Sequence, residues 1–225
     1  MSAPSISYYC LGERAVVMQA RSDKIDLICQ KKIWHVAQQM RDLGLCIDIV
    51  PGMNNLTAIF DPLRYSGEEI LITLKDLFQR SKDQFQGGRE VIIPVHYGGD
   101  VGPDLALVAE HCQLSVENVV KLHCAANYVV YFLGFQPGFA YLGGLPDNLT
   151  TPRRAEPRLR VPAGSVGIGG RQTGIYPAAS PGGWQLIGHT TLTLFDPQQN
   201  NPTLLQPGDW VRFVAEHIQS CQSDE

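Results

Sequence analysis

The feature that most constrains the fold is the uneven distribution of glycine and proline. More than half of the 22 glycines lie between Gly134 and Gly188, together with almost half of the 15 prolines. Aromatic residues recur through the same stretch, among them Phe139, Tyr176 and Trp184. A helix does not tolerate this density of breakers, and a disordered linker is poor in aromatic residues. The stretch therefore predicts short strands joined by tight turns.

The strand signals of the C-terminal half are short and separated by glycine and proline. They read YVVYFLGF, SVGIGG, TGIYP, GWQLIGHTTLTLF and TLLQPGDWVRFV. Strands of this length and spacing are typical of a compact β-barrel or sandwich. Two short helices predicted between Gly102 and Asn127, with Ser115 as the second N-cap, would flank or plug it.

The N-terminal half alternates strand and helix signals. Apolar residues recur at helical spacing from Ile25 to Leu43, and we expect this helix to begin near Ser22 or Asp23 and to stop at Gly44. Short strands flank this helix, with a predicted turn at PGMN (51–54), and a second helix starts at the capping box of Ser66 and Glu69.

These signals predict two domains. A strand at 90–95 completes the order βαββαβ, although it follows the predicted boundary at 81–89 and fits either unit. We therefore predict an α+β protein with a small N-terminal βαββαβ domain, residues 1–89, followed by a β-barrel domain, residues 90–225.

Composition excludes several classes of protein. The net charge of −4 argues against a general nucleic-acid binder, and the second short helix places Glu117 where a DNA reader needs a base-contacting residue. The six cysteines lack the spacing of a zinc site. No run approaches the roughly 18 apolar residues of a membrane span, and no signal peptide is visible. We expect a cytoplasmic protein without a bound metal.

Arginine is concentrated beside the glycine-rich stretch. Residues 151–171 hold five Arg against Glu156, and no acid occurs between Pro157 and Phe195. Arg is favoured for bidentate capture of carboxylate or phosphate. The cluster predicts an anion supplied from elsewhere, and the cluster is stronger evidence for this than any single arginine. Carboxylates of the N-terminal domain or a partner, or plain solvent exposure, are the alternatives.

Glycine in this stretch has two interpretations. GSVGIGG lacks the spacing and following helix of a dinucleotide fold, and no Walker-type phosphate loop occurs. Backbone amides near Gly138, Gly164 and Gly182 can approach a ligand or an oxyanion. Tight barrel corners also require glycine, so a purely architectural role stays open.

His189 is the leading acid/base candidate, because it follows an apolar strand in the region free of acids. His96 is a weaker candidate, and the other histidines, including His111 and His123, are predicted at helix surfaces or chain ends. No hydrolase nucleophile motif occurs, but Ser165 lies between two glycine-rich turns and is a further substrate-binding candidate.

Long motifs resemble a known family. GFQPGFAYLGGLP, TPRRAEPRLRVPAGSVGIGG, TGIYPAASPGGWQLIGHT and QPGDWVRF are similar to the allophanate hydrolase subunit 1 or carboxyltransferase C/D family. PGMNNLTAIF and HYGGDVGPDLALVAEHCQLS resemble the 5-oxoprolinase branch of that family, which also includes a sporulation-kinase inhibitor. The resemblance covers nearly the whole chain.

The resemblance implies a cyclophilin-like barrel and a role in an ATP-dependent 5-oxoprolinase. This enzyme would hydrolyse 5-oxo-L-proline to L-glutamate together with subunits A and C. In that picture Arg154 and Arg158 capture an anion, and His189 and Tyr176 handle or orient a proton. ATP is used by the complex, and neither metal nor biotin is expected in this chain. Inhibition of a sensor histidine kinase is the alternative function.

Overall fold

The computed structural model describes residues 5–21, 26–81 and 88–219, and the chain divides into two compact units. The first unit spans Met1–Gly87 and the second Gly88–Glu225. Each has its own cluster of buried apolar side chains. The two units are therefore described separately.

The N-terminal unit is an antiparallel sheet with two helices. Its elements are β1 (Ile6–Leu11), β2 (Ala15–Ala20), α1 (Leu27–Leu43), β3 (Asp48–Gly52), β4 (Asn55–Ile59) and α2 (Gly67–Arg80). The strand order is β1-β2-β4-β3. Side chains from both helices, such as Ile33, Met40 and Leu74, are buried with Met18 and Leu56 of the sheet. The core thus lies between the helices and one face of the sheet.

Capping residues set the ends of these helices. The Asp26 side chain accepts hydrogen bonds from the first turn of α1, and Gly44 ends the helix. The predicted start at Ser22 or Asp23 lies outside the described residues. The capping box of Ser66 and Glu69 is confirmed at the start of α2.

The turn between β3 and β4 is shifted from its predicted place. Pro51 and Gly52 belong to β3, and the turn residues are Met53 and Asn54. Asn54 adopts a φ of 55°, in the left-handed region that asparagine tolerates better than most residues.

The C-terminal unit contains two helices and the remaining strands. Its elements are β5 (Glu90–Gly98), α3 (Leu105–Cys112), α4 (Val116–Ala125), β6 (Tyr128–Leu133), β7 (Ala140–Gly143), β8 (Arg158–Val161), β9 (Ser165–Gly169), β10 (Gln172–Ile175), β11 (Ser180–Gly182), β12 (Gln185–His189) and β13 (Trp210–Gln219). Short 3-10 helices lie at Gly99–Val101 and Asp147–Leu149. Ser115 caps α4 as predicted, by accepting from the Asn118 amide.

In the described part of this unit, seven strands close into a barrel in the order β10-β7-β6-β13-β5-β12-β9, and β8 and β11 form a separate two-stranded ribbon. The predicted α+β class and the barrel are confirmed. β5 runs parallel to β13 and antiparallel to β12, so it belongs to the barrel. The N-terminal unit therefore has the order ββαββα, and the predicted βαββαβ is wrong. Only the pairing partners decide which sheet this strand joins.

The helices α3 and α4 contribute to the barrel core. Val108 of α3 and Val119 of α4 are buried with Ile93 of β5 and Leu142 of β7. The expectation that these helices flank or plug the barrel agrees with this packing.

His123 of α4 is fully buried, so its predicted place on a helix surface is wrong. Its Nδ1 lies 2.8 Å from the Tyr97 hydroxyl, and its Nε2 lies 3.0 Å from Thr173 Oγ1. Thr173 donates its own proton to the Gly167 carbonyl, so Nε2 is the donor and Nδ1 the acceptor. Burial lowers the pKa of His123 to about 3, and the ring is neutral.

Candidate functional site

The glycine-rich stretch forms the barrel wall and the ribbon that lies beside it. It contributes β7 to β12, and its aromatic residues form a second cluster distinct from the barrel core. This cluster contains Phe139, Val161, Tyr176, Trp184 and Leu186, with Tyr141 packed against it. Phe139 lies edge-on to both Tyr176 and Trp184, at ring distances of 5.5 and 5.6 Å. The stretch is therefore an ordered, packed element.

Glycines of β9 and β10 provide the floor on which Trp184 lies. A Cβ at Gly169 would come within 2.5 Å of the Trp184 ring, and one at Gly174 within 3.1 Å. Gly174 pairs with Gly167 in the neighbouring strand, so these positions form a flat patch on the barrel wall. Part of the GSVGIGG pattern is thus architectural, because a side chain there would displace the indole ring.

A buried carboxylate, Asp104, binds the two arginines that were predicted to capture an anion. Arg154 Nη1 lies 3.2 Å from Asp104 Oδ1, while Arg158 donates to Oδ1 at 2.8 Å and to Oδ2 at 2.9 Å. The Leu186 amide also donates to Oδ2, at 2.6 Å. Asp104 precedes α3 but makes no side-chain cap bond, since its carboxylate is fully engaged by these donors. It ties the start of α3 to β12 and to segment 151–158.

The arginine cluster therefore finds counterions within its own unit. Arg154 and Arg158 share Asp104, and Arg171 pairs with Asp147 at an exposed site. Asp104 and Asp147 thus supply counterions for these three residues from within the chain, and capture of a ligand anion by Arg154 and Arg158 stays a prediction. Arg153 differs: its guanidinium lies over the Trp184 ring, 5.8 Å from the centroid, and it makes no ion pair with any described residue. Arg153 thus retains a charge that a ligand can neutralise.

An open cleft lies beside this ion pair. It has a volume of about 460 Å³ and is formed by Leu107 and His111 of α3, segment 151–156 and Gln185 of β12. Its volume falls within the ~300–1,000 Å³ range of small-molecule sites. Arg153 and Arg154 both line it, so the cleft combines the free guanidinium with the edge of the Asp104 ion pair.

His189, at the end of β12, is tied to the turn that precedes β9. Its Nε2 lies 2.9 Å from the Ala163 carbonyl. A carbonyl only accepts, so Nε2 carries the proton and the neutral ring keeps a lone pair on Nδ1. His189 is paired in register with Ser165 of β9 and His96 of β5. The atom available for proton transfer is therefore Nδ1.

Gly164 supports the His189 ring at close range. It has a φ of +82°, and a Cβ there would lie 2.5 Å from His189 Nε2. Its amide donates to the Tyr176 carbonyl at 2.7 Å, so the predicted oxyanion donor is already bonded within the chain. Gly164 thus joins His189 and Tyr176 through the backbone.

The side chain of Tyr176 points into the aromatic cluster. A Cβ at Gly182 would come within 2.5 Å of the Tyr176 hydroxyl, which places that glycine beside the phenol. Burial raises the pKa of Tyr176, although the Trp184 amide and the charge of Arg153 oppose this shift. The phenol therefore stays protonated at neutral pH, and its oxygen accepts a hydrogen bond from the Trp184 amide.

The remaining predicted residues lie apart from the cleft lining. Gly138 occupies a turn against Leu194 and Phe195, and a Cβ there would lie 2.8 Å from Phe195 Cβ. Ser165 is buried at the start of β9. The structure thus places Arg154 in the cleft lining and joins Arg158 to it through Asp104, while His189, Gly164 and Ser165 group at the end of β12 opposite Gln185.

Two further features concern ions and membranes. Among residues 5–21, 26–81 and 88–219, no group of His, Cys, Asp and Glu side chains is arranged to hold a metal ion. In the same ranges no helix is both long and apolar enough to span a bilayer.

Comparison with known proteins identifies the family. Residues 6–205 match the carboxyltransferase domain, subdomain C and D. The chain belongs to this family. The resemblance inferred from the glycine-rich motifs is confirmed.

Family members named as the B subunit of 5-oxoprolinase are similar over most of the chain. The protein from Escherichia coli O157:H7 is 53% identical over 213 residues, which cover 95% of this chain and 97% of the relative. That from Haemophilus influenzae is 50% identical and covers 84% of this chain and 89% of the relative. That from Bacillus subtilis is 45% identical and covers 75% of each.

Several solved structures share the fold of this chain. TTHA0988 is 37% identical with a TM-score of 0.78, and the match covers 90% of this chain but only 40% of TTHA0988. PH0987 from Pyrococcus horikoshii is 40% identical with a TM-score of 0.56, covering 94% of this chain and 98% of that protein. The urea amidolyase of K. lactis, at 21% identity and a TM-score of 0.76 over 96% of this chain and 15% of that protein, shares the fold alone.

Sequence reasoning missed three residues of the site. Asp104 lies 50 residues before Arg154 in the chain and occupies a helix N-cap position. An aspartate there is expected to cap the helix, so the sequence gives no sign that it pairs with arginine. Arg153 and Arg154 look alike in the sequence. Only the folded chain shows that Arg154 pairs with Asp104 whereas Arg153 lies over the Trp184 ring. Gln185 carried a usable signal, because it is an uncharged polar residue within the apolar run WQLIG.

Proposed function

We propose that this chain is one component of an ATP-dependent 5-oxoprolinase. The enzyme hydrolyses 5-oxo-L-proline to L-glutamate while ATP is cleaved to ADP and phosphate, and it requires partner subunits A and C. The observation that carries the proposal is the 53% identity to a protein named as the B subunit of 5-oxoprolinase, over 97% of that relative's length. This match extends across both units, so the proposal concerns the chain as a whole.

The cleft suits the ligand that this reaction requires. 5-Oxoproline carries one carboxylate and one lactam group, and opening the lactam develops negative charge on its oxygen. Arg153 supplies a guanidinium without an ion-pair partner in the described chain, and Arg154 retains donors beyond its bond to Asp104. Guanidinium groups bind carboxylate and phosphate oxygens in a planar, bidentate manner. Segment 151–156 therefore supports an anionic substrate.

The group formed by His189, Gly164 and Ser165 at the end of β12 supports proton handling in this reaction. His189 presents Nδ1 as an acceptor, since Nε2 donates to Ala163. An imidazole nitrogen with a free lone pair is suited to activate water, and the proton it takes up can pass to the leaving amine. Tyr176 acts only as a proton donor or an orienting group, because burial raises its pKa. Gly138 and Gly182 remain proposed contacts of the oxyanion.

Reconstitution with purified partners tests the proposal. We expect 5-oxoproline-dependent glutamate formation from a mixture of this chain, subunits A and C, and ATP, and none when any one component is omitted. As a control for nonspecific effects of substitution, Arg171→Gln should support the same rate of glutamate formation as the wild type. The Arg171 side chain is 72% exposed and pairs at the surface with Asp147. Glutamate formation without this chain would contradict the proposal.

A further inference from the structure

The two edges of the N-terminal sheet differ in how their backbone groups are used. β1 (Ile6–Leu11) and β3 (Asp48–Gly52) are the outer strands in the order β1-β2-β4-β3. An outer strand presents a row of N–H and C=O groups, and folded proteins usually block this row with charged side chains, proline or bulges. An edge without such protection indicates a surface that another strand covers.

The edge at β3 is blocked by residues of the same unit. Ile49 donates its amide to Asp48 Oδ1 at 2.7 Å, and its carbonyl accepts from Arg41 Nη2 at 2.9 Å. Pro51 lies two residues further on, so it faces the same side of the strand, and proline has no N–H to donate. A second strand therefore finds no row of free groups at β3.

The edge at β1 has no such protection. The Arg21 amide donates to the Ser5 carbonyl at 2.8 Å, and hydrogen-bonded residues alternate along an antiparallel strand, so the odd-numbered residues bond to β2. The even-numbered residues Ile6, Tyr8 and Cys10 therefore direct their N–H and C=O groups outward. No described residue bonds to these groups. The strand also contains no charged residue and no proline.

The side chains of β1 leave this edge accessible. Tyr9 and Leu11 are 41% and 56% exposed, and Cys10 is exposed as well. Ile6 and Tyr8 are half-buried at the rim of the core. Among the described helices and strands, β1 packs mainly against β2 and α2. A second strand can thus reach the edge without displacing a described element.

A second copy of the chain matches this edge. Since β3 is blocked, the second copy must offer its own β1, and identical strands that pair about a twofold axis close as a dimer instead of growing into a filament. With the axis perpendicular to the sheet, only residues on the same face stand opposite each other. We propose that the chain forms a homodimer in which β1 pairs antiparallel with β1 of the second copy, with Tyr8 on the axis.

This register uses every outward group. Tyr8 pairs with Tyr8 of the second copy, and Ile6 pairs with Cys10, so each free N–H meets a carbonyl. A register centred on Tyr9 would leave Ile6 without a partner. Because the strand carries no charge, two copies approach without electrostatic repulsion.

The dimer is weak, because its interface is small. Pairing of two six-residue strands buries less than the ~1,200 Å² of a stable interface, so monomer and dimer exchange as the concentration changes. The two sheets become one continuous sheet. The half-buried rings of Tyr8 then lie side by side on the helix-bearing face and join the two cores.

Sedimentation velocity of the full chain, under reducing conditions and over a range of concentrations, tests the proposal. We expect the wild type to shift from monomer to dimer as concentration rises. Cys10→Pro removes an outward N–H but none that bonds to β2, since an edge strand tolerates proline where the N–H faces solvent. The loss occurs in both copies, so the dimer dissociation constant should rise by about tenfold or more. Cys10→Ser keeps the N–H and is the matched control, with the wild-type constant expected.

Residue-resolved amide hydrogen exchange of the wild type gives a second measurement that needs no variant. The amides of Ile6, Tyr8 and Cys10 should exchange slowly only at concentrations where the dimer forms. Those of Ser7 and Tyr9 bond to β2 and should be protected at all concentrations.

Three results would overturn the proposal. They are a monomer at every concentration, a folded Cys10→Pro with the wild-type dissociation constant, and outward amides that exchange equally fast at low and high concentration. The exchange measurement decides the question even if Cys10→Pro does not fold. Protection of the outward amides only when a different protein is added would assign this edge to that protein and reject the second copy.

Discussion

Replacing Asp104 with Asn tests whether the buried ion pair holds the site together. The carboxylate accepts four hydrogen bonds, one from Arg154, two from Arg158 and one from the Leu186 amide. In Asp104→Asn the shape is kept, but one oxygen becomes an NH₂ group that faces donors. Whichever way the new amide turns, two of the four bonds are lost together with the negative charge.

The magnitude follows from the burial of the three groups. Removing one partner of a buried ion pair costs about 3–5 kcal/mol, because the other charge is left uncompensated. The Asp104 side chain is 6% exposed, whereas those of Arg154 and Arg158 are 32% and 24% exposed and can recover some hydration. We therefore expect the free energy of unfolding to fall by about 3 kcal/mol, at the lower end of that range.

Urea denaturation followed by tryptophan fluorescence measures this loss. Trp184 and Trp210 lie in the C-terminal unit and Trp34 in the N-terminal unit, so a Trp34→Phe background reports the barrel. Trp184 is two residues from Leu186, which bonds directly to Asp104.

The matched control is Asp147→Asn, which removes a carboxylate from an exposed pair with Arg171. The two side chains are 82% and 72% exposed, and surface ion pairs of this kind contribute about 0–1 kcal/mol. We expect little change in this variant. Equal losses in the two variants, or a loss below about 1 kcal/mol for Asp104→Asn, would refute a structural role for the buried pair.

Three further predictions concern other parts of the barrel unit. Burial lowers the pKa of His123 to about 3 in the folded chain, against about 6.5 in the unfolded chain, so between these values only the unfolded chain binds the proton and stability falls as pH drops from 6.5 towards 3. In urea denaturation the free energy of unfolding of the wild type should therefore approach that of His123→Gln as pH falls through this window. Parallel pH profiles of the two proteins would contradict a buried, neutral His123. Gly164→Ala should lower the free energy of unfolding by more than about 2 kcal/mol, because its φ is left-handed and the new Cβ would clash with His189. Gly170→Ala is the matched control, since Gly170 has a φ of +65° but nothing within 4 Å, and it should cost only about 1 kcal/mol. Similar costs for the two variants in the same denaturation assay would argue against the clash. His189→Gln keeps a donor for the Ala163 carbonyl but loses the imidazole Nδ1, so kcat of the reconstituted complex should drop by about 10² or more with unchanged stability. Wild-type kcat in this variant would exclude proton transfer by His189.

Local signals allowed much of the N-terminal unit to be predicted. Helix α2 follows its capping box, and α1 stops at Gly44, because these features depend on neighbouring residues alone. β5 was recognised as a strand but its sheet was not, since the pairing of Glu90 with Trp210 joins residues far apart in the chain. The alternation of apolar and polar residues identifies a strand, but it does not show which other strand it pairs with.

The same distinction applies to the site. The arginine cluster was visible in the sequence because composition is local, but its counterion Asp104 was not. His123 was misplaced for a different reason. It lies at helical spacing from the buried Val119 and Val120, and its polar side chain is accommodated by Tyr97 and Thr173, which no local pattern reveals.

The steady-state constants of Arg153→Gln in the reconstituted complex test the central claim most directly. If the cleft of this chain binds the substrate carboxylate in the working enzyme, KM for 5-oxoproline should rise by about tenfold with kcat changed far less, since uniform binding is lost. Arg160→Gln is the control, since Arg160 is exposed in the same basic segment but does not line the cleft, and it should match the wild type. An unchanged KM for 5-oxoproline in Arg153→Gln, in a complex that requires this chain for activity, would show that the substrate binds elsewhere.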